Sequence, residues 1–380
     1  MNKIIHLAYF VSHPIQYQAP LLRLIAADPQ INLQVFFYSD FSLKAYQDKG
    51  FGRLIEWDVP LLEGYNYFFL DRNTNICNEL KVGKFDAVWV HGWSRIASIR
   101  AILAAEQLNI PILLRGESNN LNQTSNPVKY LLKRIFLQWL YAKVSGFLCI
   151  GSLNRQFYQS FAIEERRLFQ MPYAVDNDYF ATKAQLASSK RAQLKQSLGL
   201  AEDRAVILFA AKIIEVKRPL DLLEAYCLLS KDGLQEPDPY LLFVGDGHLR
   251  PVLEEKAKWE SIKFLGFHNQ SQMPAIYDLC DIFVLPSGFE PWGLAINEAM
   301  NASKAVIVSD QVGCACDLIV QKENGYIYPA GDISGLTQAL NWGLANYQKA
   351  GQISKQKIQT WSYQQDIHGL KQSLEYLVNK

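Results

Sequence analysis

Short apolar runs alternate with longer stretches of helical periodicity along the whole chain. The runs of the first half are KIIHLAYFVS, LQVFFYS, DAVWVHG, PILLRGE, GFLCIGS and LFQMPYAV. Those of the second half are AVILFAAK, YLLFVGDG, IKFLGF, DIFVLPS, AVIVSD and GYIYPA. Runs without apolar–polar alternation are those of strands buried on both faces of a parallel sheet. Amphipathic stretches such as RPLDLLEAYCLLS, MPAIYDLC and GLAINEAM lie between them. The repeated strand–helix order predicts an α/β fold with doubly wound sheets and right-handed crossovers.

The series occurs twice. The polar stretch VDNDYFATKAQLASSKRAQLK separates the two halves. The domains are therefore placed at residues 1–175 and 176–361. The last amphipathic segment, WSYQQDIHGLKQSLEYLVNK, has no strand after it. Ligands of open parallel sheets bind beyond the carboxyl ends of the strands. Two such domains facing each other would form a cleft, so the residues just after each run are the ones that bear on chemistry.

In LPSGFEPWGLAINEAM, Glu290 and Glu298 flank a point where strand should become helix. The strand is expected to end near Ser287 and the helix to begin near Pro291, because proline fits a first helical turn. A helix start with Gly293 and Leu294 offers free N–H donors and the positive end of a dipole to an anion. Glu298 lies about 7.5 Å further along the axis, a step comparable to that from a diphosphate to its ribose. Glu290, on the other side, would hold a sugar. The competing reading is a capping acid and a solvent-facing helix acid, and spacing alone does not separate the two.

AVILFAAK ends at Lys212, and Lys217 follows just ahead of Pro219. Cations before a helix start oppose its dipole, a placement that a bound diphosphate would explain. Arg218 reads as surface charge. Gly245 belongs to a tight turn after YLLFV, and Gly266, Phe267 and His268 stand where backbone groups could meet a nucleobase. In the first half, HPIQYQ replaces any G-x-G-x-x-G, which argues against a dinucleotide-dependent oxidoreductase. His13, Gln16 and Tyr17 would line the cleft there. His91 and Arg115 stand at two further strand ends, with Glu117 or a substrate anion as the alternatives for Arg115.

Composition narrows the function classes. A net charge of +1 argues against a nucleic-acid binder. The six cysteines sit mostly in apolar runs, and Cys314 and Cys316 lack the second pair that a zinc site needs. No run is long enough for a membrane span, and MNKIIHLAYFVSHP reads as a first buried strand rather than a signal peptide. A cytoplasmic protein is expected, with peripheral attachment at the inner face of the membrane as the alternative. No acid falls between Ser118 and Ile163, while Lys129, Lys133, Arg134, Lys143 and Arg155 do. The segment 127–145 has two readings: a core-facing amphipathic helix with a wet basic side, which is preferred, and a helix lying on an anionic membrane.

Taken together, FAAKIIEVKRPLDLLEAY, LLFVGDGHLR, IKFLGFHNQSQMPAIYDLCDIFVLPS, EPWGLAINEAM and AVIVSDQVGCACDLIVQKENGYIY resemble, in order and spacing, the family 4 (group 1) glycosyltransferases of the GT-B fold. MPYAVDNDYF matches that family's interdomain stretch. The resemblance implies a hexosyltransferase-type enzyme (EC 2.4). It would be retaining and metal-independent, with no cofactor beyond its nucleotide-diphosphate sugar donor. The acceptor would be a glycan or lipid-linked molecule, as in polysaccharide biosynthesis. Carried over residue by residue, Glu290, Lys212, Lys217 and His91 are catalytic. Glu298, Gly293, Leu294, Trp292, Phe267 and Gly245 bind donor. His13, Gln16, Tyr17 and Arg115 are cleft or acceptor candidates. Lys212 stands where many members have arginine. The final helix, 362–380, is implied to pack back on the first domain. The rival readings are an inactive sugar-nucleotide-binding scaffold and another GT-B enzyme such as an epimerase.

Overall fold

A computed structural model describes residues 4–121, 126–231 and 238–378. Every apolar run named above is a strand. In chain order they are β1 (Ile5–Val11), β2 (Ile31–Phe37), β3 (Tyr46–Asp48), β4 (Arg53–Ile55), β5 (Asn66–Phe69), β6 (Ala87–His91), β7 (Ile112–Arg115), β8 (Gly146–Cys149) and β9 (Leu168–Gln170). The second half adds β10 (Val206–Ala210), β11 (Tyr240–Val244), β12 (Ile262–Gly266), β13 (Ile282–Leu285), β14 (Ala305–Ser309) and β15 (Gly325–Tyr328). Strands β8, β11 and β14 are buried along their whole length, which is why they carry no polar face.

The chain forms two units. One comprises Met1–Lys44, Val59–Tyr173 and Tyr363–Lys380; the other comprises Ala45–Asp58 and Ala174–Ser362. The sequence boundaries differ from these by one or two residues at each junction. The larger difference is Ala45–Asp58, a first-half segment that groups with the second unit. The first unit has a seven-stranded sheet of order β5-β2-β1-β6-β7-β8-β9. The second has a six-stranded sheet of order β12-β11-β10-β13-β14-β15. The pairs within both sheets are parallel.

Strand order reverses beside β1 and β6 in the first unit, and beside β10 and β13 in the second. The loops leaving two such strands diverge to opposite faces and open a crevice at their carboxyl ends. Topology thus singles out Ser12 onward and His91 onward in one unit. In the other it singles out Lys212 onward and Ser287 onward. Each sheet has its own core, with Val88, Val90, Leu114 and Phe147 in one and Ile207, Phe209, Ile282 and Ile307 in the other. The helix Tyr363–Val378 packs on β8 and β9 of the first unit.

Candidate active site

Lys212 stands two residues past β10. The turn after β11 lies directly on this segment: the amide of Ile213 donates to the carbonyl of Asp246 at 2.9 Å, and a Cβ on Gly245 would stand 2.0 Å from the carbonyl oxygen of Ala211. The structure thus gives Gly245 a packing duty beside Lys212. The chain then makes one 3-10 turn, Glu215–Lys217, and the carbonyl of Val216 accepts from the amide of Gly288 at 2.7 Å. That bond draws the loop after β10 to the loop after β13. It brings Lys217 Nζ into an ion pair with Glu290 Oε2. Both side chains are less than a fifth exposed. Arg218 pairs with Asp221.

Glu290 is held by its backbone. Its amide donates to Gln311 at 3.0 Å, and its carbonyl accepts from Gly313 at 2.9 Å. Gly313 is obligatory there, because a Cβ would stand 1.9 Å from the carbonyl oxygen of Pro291. These bonds, with the Cys314 amide donating to the carbonyl of Trp292 at 3.1 Å, tie residues 290–292 to the segment 311–314. The helix therefore starts later than Pro291 suggests: it spans Leu294–Asn301, with Gly293 as N-cap at φ 103°. Glycine adopts that angle without steric cost and brings no capping side chain of its own to the positive pole of the helix.

Glu298 lies on this helix and accepts from the Tyr277 hydroxyl at 2.7 Å. Burial pushes its carboxyl up to about 7, against the pull of that hydrogen bond. Trp292 is a correction to the donor-binding set. Its ring is 3% exposed, it stacks on Trp361 at 5.6 Å, and its N–H is spent on Asn297 at 3.0 Å. Phe267 is partly exposed, with Phe51 edge-on at 5.0 Å.

In the first unit a cavity of about 330 Å³ opens at the carboxyl ends of β1, β6 and β7. Tyr17, His91, Trp93, Arg95 and Glu117 are among its lining. His91 Nδ1 lies 3.1 Å from the Tyr9 hydroxyl and Nε2 lies 3.1 Å from the Tyr173 hydroxyl. The Tyr173 hydroxyl donates to Glu117 at 2.6 Å. Gln18 reaches the other edge of the ring, accepting from the Tyr9 hydroxyl at 3.0 Å with its amide nitrogen 3.4 Å from Nδ1. Burial first, and Arg115 second, lower the imidazole to about 3. His91 is thus neutral, with both ring nitrogens engaged by tyrosine hydroxyls, which suits it to bracing the strand end rather than shuttling a proton. Tyr17 meets Tyr173 edge-on at 5.8 Å. Gln16 is partly buried. His13 packs on Phe41 at 4.4 Å and bonds Ser12.

Arg115 is the second correction. It is 1% exposed and pairs with Asp366 at 3.1 Å, while its Nη2 also donates to the carbonyls of Met171 and Pro172. It fastens the last helix to the sheet instead of meeting an acceptor. Glu117, its sequence-suggested partner, belongs to Tyr173.

The helix Pro127–Tyr141 departs from the preferred reading. Asn126 caps it, accepting from the amides of Val128 and Lys129 at 3.1 Å. Only Leu137, Leu140 and Tyr141 are buried. Val128, Leu131, Leu132, Ile135 and Trp139 form one stripe at helical spacing, and every one of them is exposed.

A wider concavity, about 570 Å³, lies at the opposite, amino ends of β10, β13 and β14. Its cations are consumed internally: Lys195 by the carbonyls of Glu202 and Arg204, Arg191 by Asp281, Lys304 by the carbonyl of Asp278. It lacks the strand-end geometry of the two crevices.

Residues 190–360 match the family described as Glycosyl transferases group 1. An uncharacterized glycosyltransferase of Methanocaldococcus jannaschii, MJ1607, is 29% identical over 43% of this chain and 43% of its own length. The UDP-Gal:alpha-D-GlcNAc-diphosphoundecaprenol alpha-1,3-galactosyltransferase of Escherichia coli is 26% identical over 69% of this chain and 67% of its own. The chain thus spans less than half of the archaeal relative. Among solved structures, Anabaena Alr3699/HepE in complex with UDP superposes with a TM-score of 0.73 at 16% identity, covering 98% of this chain and 100% of that one. The resemblance carried by the second-half motifs holds, and the two Rossmann-like units are those of the GT-B fold.

Proposed function

We propose that the protein is a retaining, metal-independent glycosyltransferase. It moves a sugar, a hexose by family analogy, from a nucleotide-diphosphate donor to a glycan or lipid-linked acceptor. The observation that carries this reading is Lys217 set against Glu290 at the β10/β13 switch point, beside a helix start whose N-cap is a glycine. Breaking the sugar–phosphate bond puts charge on the leaving diphosphate. Lys212, Lys217 and the N–H groups at Gly293 and Leu294 stabilise that charge, and preorganised electrostatics is usually the largest catalytic term. The departing phosphate takes the acceptor's proton on the same face of the sugar, which retains the anomeric configuration. Glu290 orients the donor sugar. His91, held neutral between Tyr9 and Tyr173, is a positioning residue on the acceptor side. Support comes from the group 1 match over the second unit and from the UDP complex of the Anabaena protein. A thermal-shift screen of nucleoside diphosphates and nucleotide sugars tests the reading. A ligand at 100 times its dissociation constant stabilises by about 2.7 kcal/mol, and a flat response across the screen would contradict it.

Glu298 holds the ribose in this reading, and its carboxylate must be ionised to accept from both hydroxyls. A group raised to about 7 is half protonated at neutrality. Donor affinity should therefore rise with pH, being about tenfold weaker near pH 6 than near pH 8. Glu298→Gln abolishes that component, so the difference between the two profiles isolates it from the titration of the phosphate.

The exposed stripe of the helix Pro127–Tyr141 is assigned to an anionic bilayer surface. Lys129 and Lys133 flank the stripe, and no acid lies on the helix or within twenty residues after it. No helix of the described residues is long and apolar enough to cross a membrane, so this contact would be peripheral. The Escherichia coli relative's acceptor is lipid-linked by its name, the kind of substrate such a contact would serve. In flotation with phosphatidylcholine vesicles containing phosphatidylglycerol, Lys129→Gln with Lys133→Gln should weaken binding by roughly 2 kcal/mol. Leu131→Glu with Leu132→Glu should abolish it. Equal flotation of wild type with purely zwitterionic vesicles would contradict the electrostatic part.

A further inference from the structure

Ala45–Asp58 interrupts the first half of the chain yet groups with the second unit. Within it β3 and β4 pair antiparallel, Tyr46 with Ile55 and Asp48 with Arg53. The turn is organised by Asp48, whose Oδ1 accepts from the amides of Gly50 at 2.8 Å and Phe51 at 3.0 Å. The hairpin ends on residues of the candidate donor site. Lys212 Nζ donates to both oxygens of Asp48, at 2.8 and 3.0 Å. The same Nζ lies 4.9 Å from the centroid of the Phe51 ring. A Cβ at Gly50 would stand 2.6 Å from Lys212 Cδ, so the turn lies directly against the lysine stem. Arg53 lies over Phe267 at 5.3 Å, and Asn269 donates to the carbonyl of Glu56 at 2.6 Å. Ser271 bonds Asp58.

Asp48 therefore gives Lys212 a pair of anionic oxygens, the same chemistry a diphosphate would offer. Burial raises the Asp48 carboxyl, but the hydrogen bonds from Lys212 and the turn amides outweigh it and keep the acid ionised. The pair is half open, with Lys212 34% exposed, so its hold is weak. Two strands of three residues are marginal on their own, and the hairpin stays in place through its contacts. A diphosphate carries more charge than one carboxylate and attracts the same lysine more strongly.

We propose that the hairpin Ala45–Asp58 is a lid on the donor site, held shut by Asp48 on Lys212, and that a bound nucleoside diphosphate takes the lysine and releases the hairpin. The proposal rests on the donor-site reading above. The test is calorimetric titration of uridine, guanosine, adenosine and thymidine diphosphates into wild type, Asp48→Asn and Lys212→Ala. Asparagine keeps the acceptor that the turn amides need and removes the charge that competes for Lys212. Asp48→Asn should bind about tenfold tighter than wild type, and the gain should vanish when Lys212→Ala is added. Hydrogen exchange of the wild-type chain gives an independent reading: the amides of Gly50 and Gly52, bonded to Asp48, should exchange faster once diphosphate is bound. Wild-type binding with no gain in Asp48→Asn, or unchanged exchange on binding, overturns the lid and leaves the donor site standing. If none of the diphosphates binds wild type or Asp48→Asn, the lid and the donor reading fall together.

Discussion

Glu290→Gln is expected to bind nucleoside diphosphate at least as tightly as wild type and to transfer sugar roughly a hundredfold more slowly. The structure sharpens both halves of that expectation. The backbone of Glu290 is fixed from outside its side chain, by the amide bond to Gln311 and the carbonyl bond from Gly313. An amide in place of the carboxylate leaves those bonds, and with them the helix start at Gly293. The change also removes the anion that occupies Lys217, so the lysine becomes more available to a phosphate. The loss falls on the sugar. Glutamine is a weaker acceptor and carries donors of its own, so a hydroxyl that needs a strong acceptor is held loosely near the reacting carbon. Single-turnover rates and diphosphate affinity on this one variant decide the matter. Full activity would remove Glu290 from sugar orientation.

Lys217→Ala should lower the turnover of bound donor by roughly a hundredfold or more, and Lys212→Ala by a comparable factor. Lys217 is placed by the bond between Gly288 and Val216, so its charge is directed at the switch point before any donor arrives. Removing it also leaves Glu290, less than a fifth exposed, without its counter-ion. The rate at saturating donor must therefore be read beside the melting temperature. A variant that melts normally and turns over slowly has lost leaving-group stabilisation. Normal rates in both variants would reduce the lysines to structural charge.

Most of the parallel strands were legible because they are largely buried and appear as unbroken apolar runs. Residues that follow such runs are local to them, so Lys212, Lys217 and Glu290 could be singled out as strand-end candidates, and the structure brings Lys217 and Glu290 together. What escaped depends on partners distant in sequence. Arg115 looked like a ligand because Asp366, which neutralises it, lies 251 residues away. Trp292 stands inside the motif read as donor-binding, but it is buried against Trp361. The helix start was read from Pro291, whereas the strand-like pairing of 290–292 with 311–314 delays it to Leu294. The hairpin β3–β4 has three-residue, only partly buried strands, and β5 is an exposed edge strand. Neither is announced by a buried run; the closely spaced Gly50 and Gly52 were the available signal for the hairpin. Tyr9 and Tyr173, which hold His91, lie inside or next to apolar runs and read as core.

The account stands most directly on nucleotide binding at the helix Leu294–Asn301. Titration calorimetry of wild type and Glu298→Ala, with the nucleoside diphosphate selected by thermal shift, measures it. One-to-one binding by wild type, weakened in the variant by about 1.5–3 kcal/mol for the lost charge-assisted hydrogen bonds, is the predicted result. Equal affinity in the two proteins, or no binding of any nucleoside diphosphate to wild type, would contradict it.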